Sequence, residues 1–80
     1  MVTNVGARMG HVFGAIADPT RRDILDLLRR QDLAVVELVE RFPVSRPAIS
    51  RHLRVLQAAG LVEARPIPPR GAYAVNGSLR

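Results

Sequence analysis

Between Arg41 and Val62 the chain carries four arginines, Arg41, Arg46, Arg51 and Arg54, and no aspartate or glutamate. A guanidinium is permanently charged and presents a planar fork of donors that fits phosphate oxygens and the edge of guanine, so an uncancelled run of them points to anion recognition. Other chemistries have little to work with. There is no cysteine, which excludes disulfides, thiolate metal sites and thiol redox chemistry. His11 and His52 are the only histidines, forty-one positions apart, and no glycine-rich phosphate loop or nucleophile elbow accompanies them. Acid–base or nucleophilic catalysis needs a reacting group beside a positioned partner, and zinc needs three or four converging ligands. The chain is therefore not expected to be an enzyme, to hold a metal or to use a cofactor. His52 reads as a partly buried or phosphate-adjacent side chain rather than a ligand.

The arginines are carried by Ser45 to Gly60, SRPAISRHLRVLQAAG. A serine able to accept from free helix amides opens this stretch, and a glycine able to take the left-handed conformation closes it. Ile49, Leu53 and Leu56 fall within an arc of roughly 60° on a helix, which predicts a buried stripe. Ser50, Arg51 and Arg54 project on the other side, with Pro47 near them at the helix start. Upstream, Val35, Leu38, Val39 and Phe42 recur at helical spacing, and Phe42-Pro43-Val44 breaks the pattern, since proline disfavours the helical conformation in the residue before it. Two short helices across a tight turn, the second cationic outside, form a helix-turn-helix; protein-binding modules use the same geometry without DNA, and here the arginines favour DNA.

The remaining elements must hold that pair. Residues 1–7 read as a loose arm, 8–76 as one domain and 77–80 as a short tail. A first helix is expected from Arg8 to Ala17, with Met9, Val12, Phe13 and Ile16 as its apolar residues and Gly10, Gly14 and Ala17 as a small-residue stripe. That stripe either marks a weak helix end or meets another helix, its own copy in a dimer. Asp18-Pro19 starts a second helix, an N-cap followed by proline at the first helical position. Ile24, Leu25, Leu27 and Leu28 supply its apolar face, and Asp26 with Arg30 an i, i+4 pair. Arg21 and Arg22 lie near the positive end of this helix, which calls for an external anion or an acidic neighbour. After Gly60 the period shortens: residues 61–67 and 72–75 read as paired strands, with 68–71 as their turn and Arg70-Gly71 at a tip suited to a phosphate backbone or a minor groove. The expected fold is mainly α with a small β-hairpin: four helices, then a two-stranded wing.

The whole chain has 80 residues, twelve arginines without a lysine, seven acids and a net charge of +5. Phe13, Phe42 and Tyr73 are too few aromatics for a single-strand stacking platform, so duplex DNA is the expected ligand. The apolar run from Val12 to Ala17 is too short for a bilayer span and no cleavage pattern follows a charged start, so a cytoplasmic location is expected.

The sequence resembles the ArsR family of bacterial transcription repressors from about Val12 to Tyr73. The resemblance is carried by AIADPTRR at 15–22 and SRPAISRHLRVLQAAGLV at 45–62. FPVSRPA at 42–48 is similar to a subgroup not built around cysteine metal ligands, and VELV stands where metal sensors carry their cysteine pair. The resemblance implies a winged helix-turn-helix with Ser45, Arg46, Pro47, Ser50, Arg51 and Arg54 on the DNA-reading helix and Arg65, Arg70 and Tyr73 on the wing. Ala34 replaces the usual threonine or serine cap of the third helix, which predicts a weakly defined start. The wing, IPPRGAY, has fewer arginines and more prolines than usual. Family members continue into a C-terminal dimerisation helix. With the sequence stopping at Arg80, either Met9, Gly10, Phe13, Gly14 and Ala17 on the first helix carry the dimer contact, or the chain is a fragment or a minimal form.

These features predict a double-stranded-DNA-binding regulator, a repressor on a pseudopalindromic operator as a homodimer, with Arg46 and Arg51 as candidate guanine readers and Ser45, Arg54 and Arg70 on phosphates. The alternative is a winged-helix protein-interaction module with only non-specific DNA affinity. No residue pattern defines a pocket for a small-molecule effector.

Overall fold

The computed structural model describes residues 11–65 and 71–75. Helix α1 covers 11–17, α2 Pro19–Leu28, α3 Val35–Arg41 and α4 Arg46–Ala58; strands β1, Val62–Arg65, and β2, Ala72–Val75, follow. The expected arm at 1–7, the start of the first helix, the strand end and turn at 66–70 and the tail lie outside the described residues. The chain forms a winged helix-turn-helix, as expected.

Local signals define the helix ends. Asp18 adopts an extended conformation that stops α1, and its Oδ2 accepts the Arg21 amide at 2.9 Å, capping α2 with Pro19 in the first turn. Ser45 does the same for α4, its Oγ accepting the Ala48 amide at 3.3 Å. At the far end of α4, Gly60 takes a φ of 76°, in the left-handed region where a side chain would be strained. The Gly60 amide donates to the Gln57 carbonyl at 2.9 Å and the Leu61 amide to that of Leu56 at 3.0 Å, a Schellman closure that turns the chain into β1. Helix α3 stops at Arg41, one residue short of the expected Phe42, which Pro43 forces into an extended conformation.

The start of α3 is better defined than its alanine predicts. Ala34 has no side-chain acceptor, but the Glu37 carboxylate reaches back and accepts the Ala34 amide at 2.8 Å. One half of a capping box thus works without the other.

The core is wholly apolar among the described residues, and no buried side-chain polar atom there lacks a partner. Ile24 and Leu28 of α2, Leu38 of α3 and Ile49, Leu53 and Leu56 of α4 are all completely buried. Each such side chain contributes about 1.5–3 kcal/mol. The α1 contribution differs from expectation. Ala15 is the buried residue, Val12 and Ile16 pack against the core from the edge, and Phe13 stands 61% exposed. Periodicity places Phe13 on the apolar side of an isolated helix; the domain instead docks α1 by its alanine.

The two strands pair antiparallel, Val62 opposite Val75 and Arg65 opposite Ala72. A third segment joins them. Leu33, in the α2–α3 connection, exchanges both backbone hydrogen bonds with Tyr73, at 3.0 and 2.7 Å. This bridge pins the wing to the helices, and nothing in the periodicity of residues 31–34 announces it.

The Asp18 cap makes stability depend on acidity. The Arg21 amide, foremost, holds the Asp18 carboxyl below its ordinary range, aided by the charges of His52 and Arg21 and opposed by partial loss of solvent. A depressed folded-state value contributes stability above the unfolded value, about 3.9, and loses it as pH falls through the folded one. Asp18→Asn keeps an acceptor without the charge. The wild type's advantage over this variant in urea midpoint is therefore expected at neutral pH and to shrink below about pH 4; a constant gap would show that the charge contributes nothing.

Candidate nucleic-acid interface

Burial of Ile49, Leu53 and Leu56 sets the direction of every other α4 side chain. At about 100° per residue, Pro47, Arg51 and Arg54 cluster roughly opposite the stripe, while Arg46 and Ser50 lie on one flank and His52 on the other. Burial follows this order: Ser45, Arg46, Pro47, Arg51 and Arg54 are exposed, and Ser50 and His52 half-buried. Ser45 combines two roles, since its oxygen caps the helix while its hydroxyl proton remains able to donate outward. The outer surface of α4 is a strip of cations and hydroxyls with no carboxylate of its own.

Arg46 is set apart from Arg51 and Arg54. It borders a cleft of about 340 Å³ between the start of α3 and the wing, also lined by Val36, Ala64, Gly71 and Tyr73. Tyr73 is half-buried there and engaged through its backbone with Leu33. Arg65 is paired within its own strand, Nη2 lying 3.2 Å from Glu63 Oε1. Arg70 lies outside the described residues, as do Met9 and Gly10. On α1, Phe13, Gly14 and Ala17 are all exposed, and a Cβ added at Gly14 would meet nothing within 4 Å.

Three charged groups, Arg21, Arg22 and Asp26, behave differently from expectation. Arg21 and Arg22 need no anion, because they satisfy the open carbonyl end of α1. Arg21 Nε donates to the Ala15 carbonyl at 2.8 Å and Nη2 to that of Gly14 at 3.1 Å, while Arg22 Nη1 donates to Ile16 at 3.2 Å. Cations at a helix C-terminus complement its dipole, which outweighs their position at the start of α2. Asp26 pairs with Arg29, one turn on at i+3 and 3.4 Å, rather than with Arg30. His52, half-buried on α4, faces Arg21 with its Nδ1 at 3.4 Å from Nη1. Sequence reasoning missed this contact because it joins positions thirty-one residues apart. Among the described residues no cluster of histidine and acidic side chains could hold a metal ion.

Residues 18–64, from the α2 cap through β1, match the family model for bacterial regulatory proteins of the arsR family. The chain belongs to the ArsR family. Its sequence is 48% identical over 54 residues to the transcriptional repressor SdpR of Bacillus subtilis, covering 68% of this chain and 60% of that protein. It is 50% identical over 62 residues to an HTH-type transcriptional regulator of Mycobacterium tuberculosis, covering 78% and 58%. The ArsR-family chain thus spans about three fifths of the length of these curated relatives. Among solved structures, an ArsR-like transcriptional regulator from Rhodococcus superposes with a TM-score of 0.87 at 41% identity, covering 94% of this chain and 71% of that one. A homodimeric winged helix-turn-helix DNA-binding domain from Mycobacterium bovis, solved by NMR, gives 0.87 at 30% identity, with 96% and 71% covered. The two curated relatives and the Rhodococcus protein are named as transcriptional regulators.

The Glu63–Arg65 pair predicts a latent cation on the wing. Glu63→Gln releases Arg65, and the logarithmic salt dependence of binding to random duplex DNA is expected to steepen by about one. Dissociation constants at several salt concentrations measure the slope, and an unchanged slope would mean that Arg65 never meets a phosphate.

Proposed function

We propose that this ArsR-family chain is a sequence-specific duplex-DNA-binding regulator in the cytoplasm, a repressor that occupies a pseudopalindromic operator as a homodimer. The observation that carries this reading is the outer face of α4, where exposed Arg46, Arg51 and Arg54, with exposed Ser45 and half-buried Ser50, stand on a helix without acids in front of a fully buried back. Arg51 lies at the centre of that face and is the foremost candidate for bidentate contact with guanine, with Arg54 and Ser45 on adjacent phosphates. Arg46, on the flank beside the wing, would serve the backbone as well as a base edge at the helix start. Arg65, Arg70 and Tyr73 would extend the contact along the wing. The relatives named as repressors support the sign of regulation, and the homodimeric neighbour supports pairing.

For the dimer contact we propose the exposed surface of α1, through Phe13, Gly14 and Ala17 together with Met9 and Gly10. Phe13 is a large apolar group left uncovered by its own domain, next to a glycine that the domain does not require. Paired recognition helices would then meet half-sites about 34 Å apart or a multiple of that.

Selection from a random duplex library at two salt concentrations tests the reading directly. The expected result is a two-fold symmetric site that resists excess random duplex by several orders of magnitude; binding without a preferred site would instead mark a protein-interaction module with non-specific affinity. Arg51→Ala is expected to cost about 1–3 kcal/mol on the selected site and relax one base position. Equal losses on every site variant would reassign Arg51 to the backbone. Gly14→Leu separates fold from pairing: the melting temperature of the domain should hold, since leucine suits a helix better by about 1 kcal/mol, while sedimentation should report loss of the dimer. A dimer that survives this substitution places the contact elsewhere.

A further inference from the structure

Arg21 sits where three helices meet. Two of its nitrogens are fixed on the end of α1, Nε on the Ala15 carbonyl and Nη2 on that of Gly14, and the third, Nη1, is directed at His52 Nδ1 of α4. A guanidinium is planar and rigid, so anchoring two of its nitrogens sets the direction of the last. At 3.4 Å the contact to His52 is long, yet its place on the helix gives it leverage. The buried stripe of α4 fixes how far that helix stands from the core. A contact on its flank, roughly 60° around from Ile49, resists rotation about its own axis. Asp18 completes the junction: its carboxylate accepts the Arg21 amide at 2.9 Å and so fixes the backbone from which Arg21 projects.

We propose that Arg21 and His52 are positioning residues for DNA reading, which set the rotation of α4 against α1 and thereby aim Arg51 and Arg54. The inference rests on the DNA-reading function proposed above. Neither side chain needs to touch DNA: Arg21 spends its donors inside the domain, and His52 lies away from the cationic face. Base recognition requires placement within about 0.5 Å and 10–20°, whereas phosphate attraction tolerates more. A loosened α4 therefore loses discrimination before it loses general affinity. With α1 pairing the two copies, the same junction relates the two recognition helices and sets their tolerance for half-site spacing.

The test compares Arg21→Gln, His52→Leu, His52→Gln and the Arg21→Gln/His52→Leu double variant with the wild type. Binding is measured on the operator selected by the wild type, on that operator with one base pair inserted between half-sites, and on random duplex, with melting temperatures alongside. Arg21→Gln and His52→Leu are each expected to weaken operator binding about tenfold while random-duplex binding stays within about twofold, and the double variant to be no worse than the worse single one. The preference for native spacing should narrow. His52→Gln, whose amide oxygen can accept from Arg21, should recover most of the loss. Losses that multiply in the double variant, a His52→Gln as impaired as His52→Leu, or operator and random duplex falling together would overturn the inference. Should the variants unfold, nitrogen NMR of the wild type decides, because the contact requires Nδ1 to be the unprotonated ring nitrogen. A proton on Nδ1 overturns it. A wild type without any operator preference overturns the DNA-reading function and the inference with it; the other adverse outcomes overturn the inference alone.

Discussion

The structure depends on the burial of Ile49, Leu53 and Leu56 in a core that contains no polar side chain among the described residues. On a helix the two faces are not independent. Once these three residues occupy the interior, helical geometry dictates that Arg51 and Arg54 point away from it. A slip of a single residue would turn the helix by about 100° and drive Ser50 or Arg54 toward the core, where an unpaired polar group costs several kcal/mol. The apolar stripe is thus what makes a cationic outer face persist.

What was legible in the sequence was local. Asp18-Pro19, the Ser45 cap, the Gly60 closure and the break at Pro43 all act within one turn of the residues that encode them, and each element boundary they imply is present to within a residue or two. What was not legible involved partners distant along the chain. Helical spacing groups Phe13 with Val12 and Ile16 and sets Ala15 about 200° away from Phe13, and only the docking of α1 makes the alanine side the buried one. The Leu33–Tyr73 bridge joins the connection before α3 to the second strand, so neither segment alone carries its signal. For Arg21 the local rule was correct and insufficient: a cation at the start of α2 is unfavourable, but the open end of α1 lies beside it and reverses the balance.

The candidate site was legible to a similar degree and for the same reason. Pro47, Arg51 and Arg54 are exposed because the spacing of the α4 stripe leaves them no alternative, and Ser45 and Arg46 are exposed at the helix start. The wing residues follow no such rule, since which side of a two-stranded ribbon meets a ligand is set by what packs beneath it. Tyr73 accordingly lies half-buried against the helices, and Arg65 turns to the acid two residues before it.

A net charge of +5 describes this surface poorly. Arg21 and Arg22 are spent on helix carbonyls, Arg29 on Asp26 and Arg65 on Glu63, so much of the arginine content serves the fold. The pairs between exposed side chains contribute little, about 0–1 kcal/mol each, and salt weakens them further. The carbonyl contacts are of another kind, because they close helix ends that would otherwise lack partners. Among the described residues, Arg46, Arg51 and Arg54 remain without an acidic partner on α4, which carries no acid. Charge of one sign on one face attracts any polyanion; only its orientation lets it distinguish one sequence from another. On the proposed DNA-reading function, the elements that hold α4 at a fixed angle would therefore matter as much to recognition as the arginines it displays.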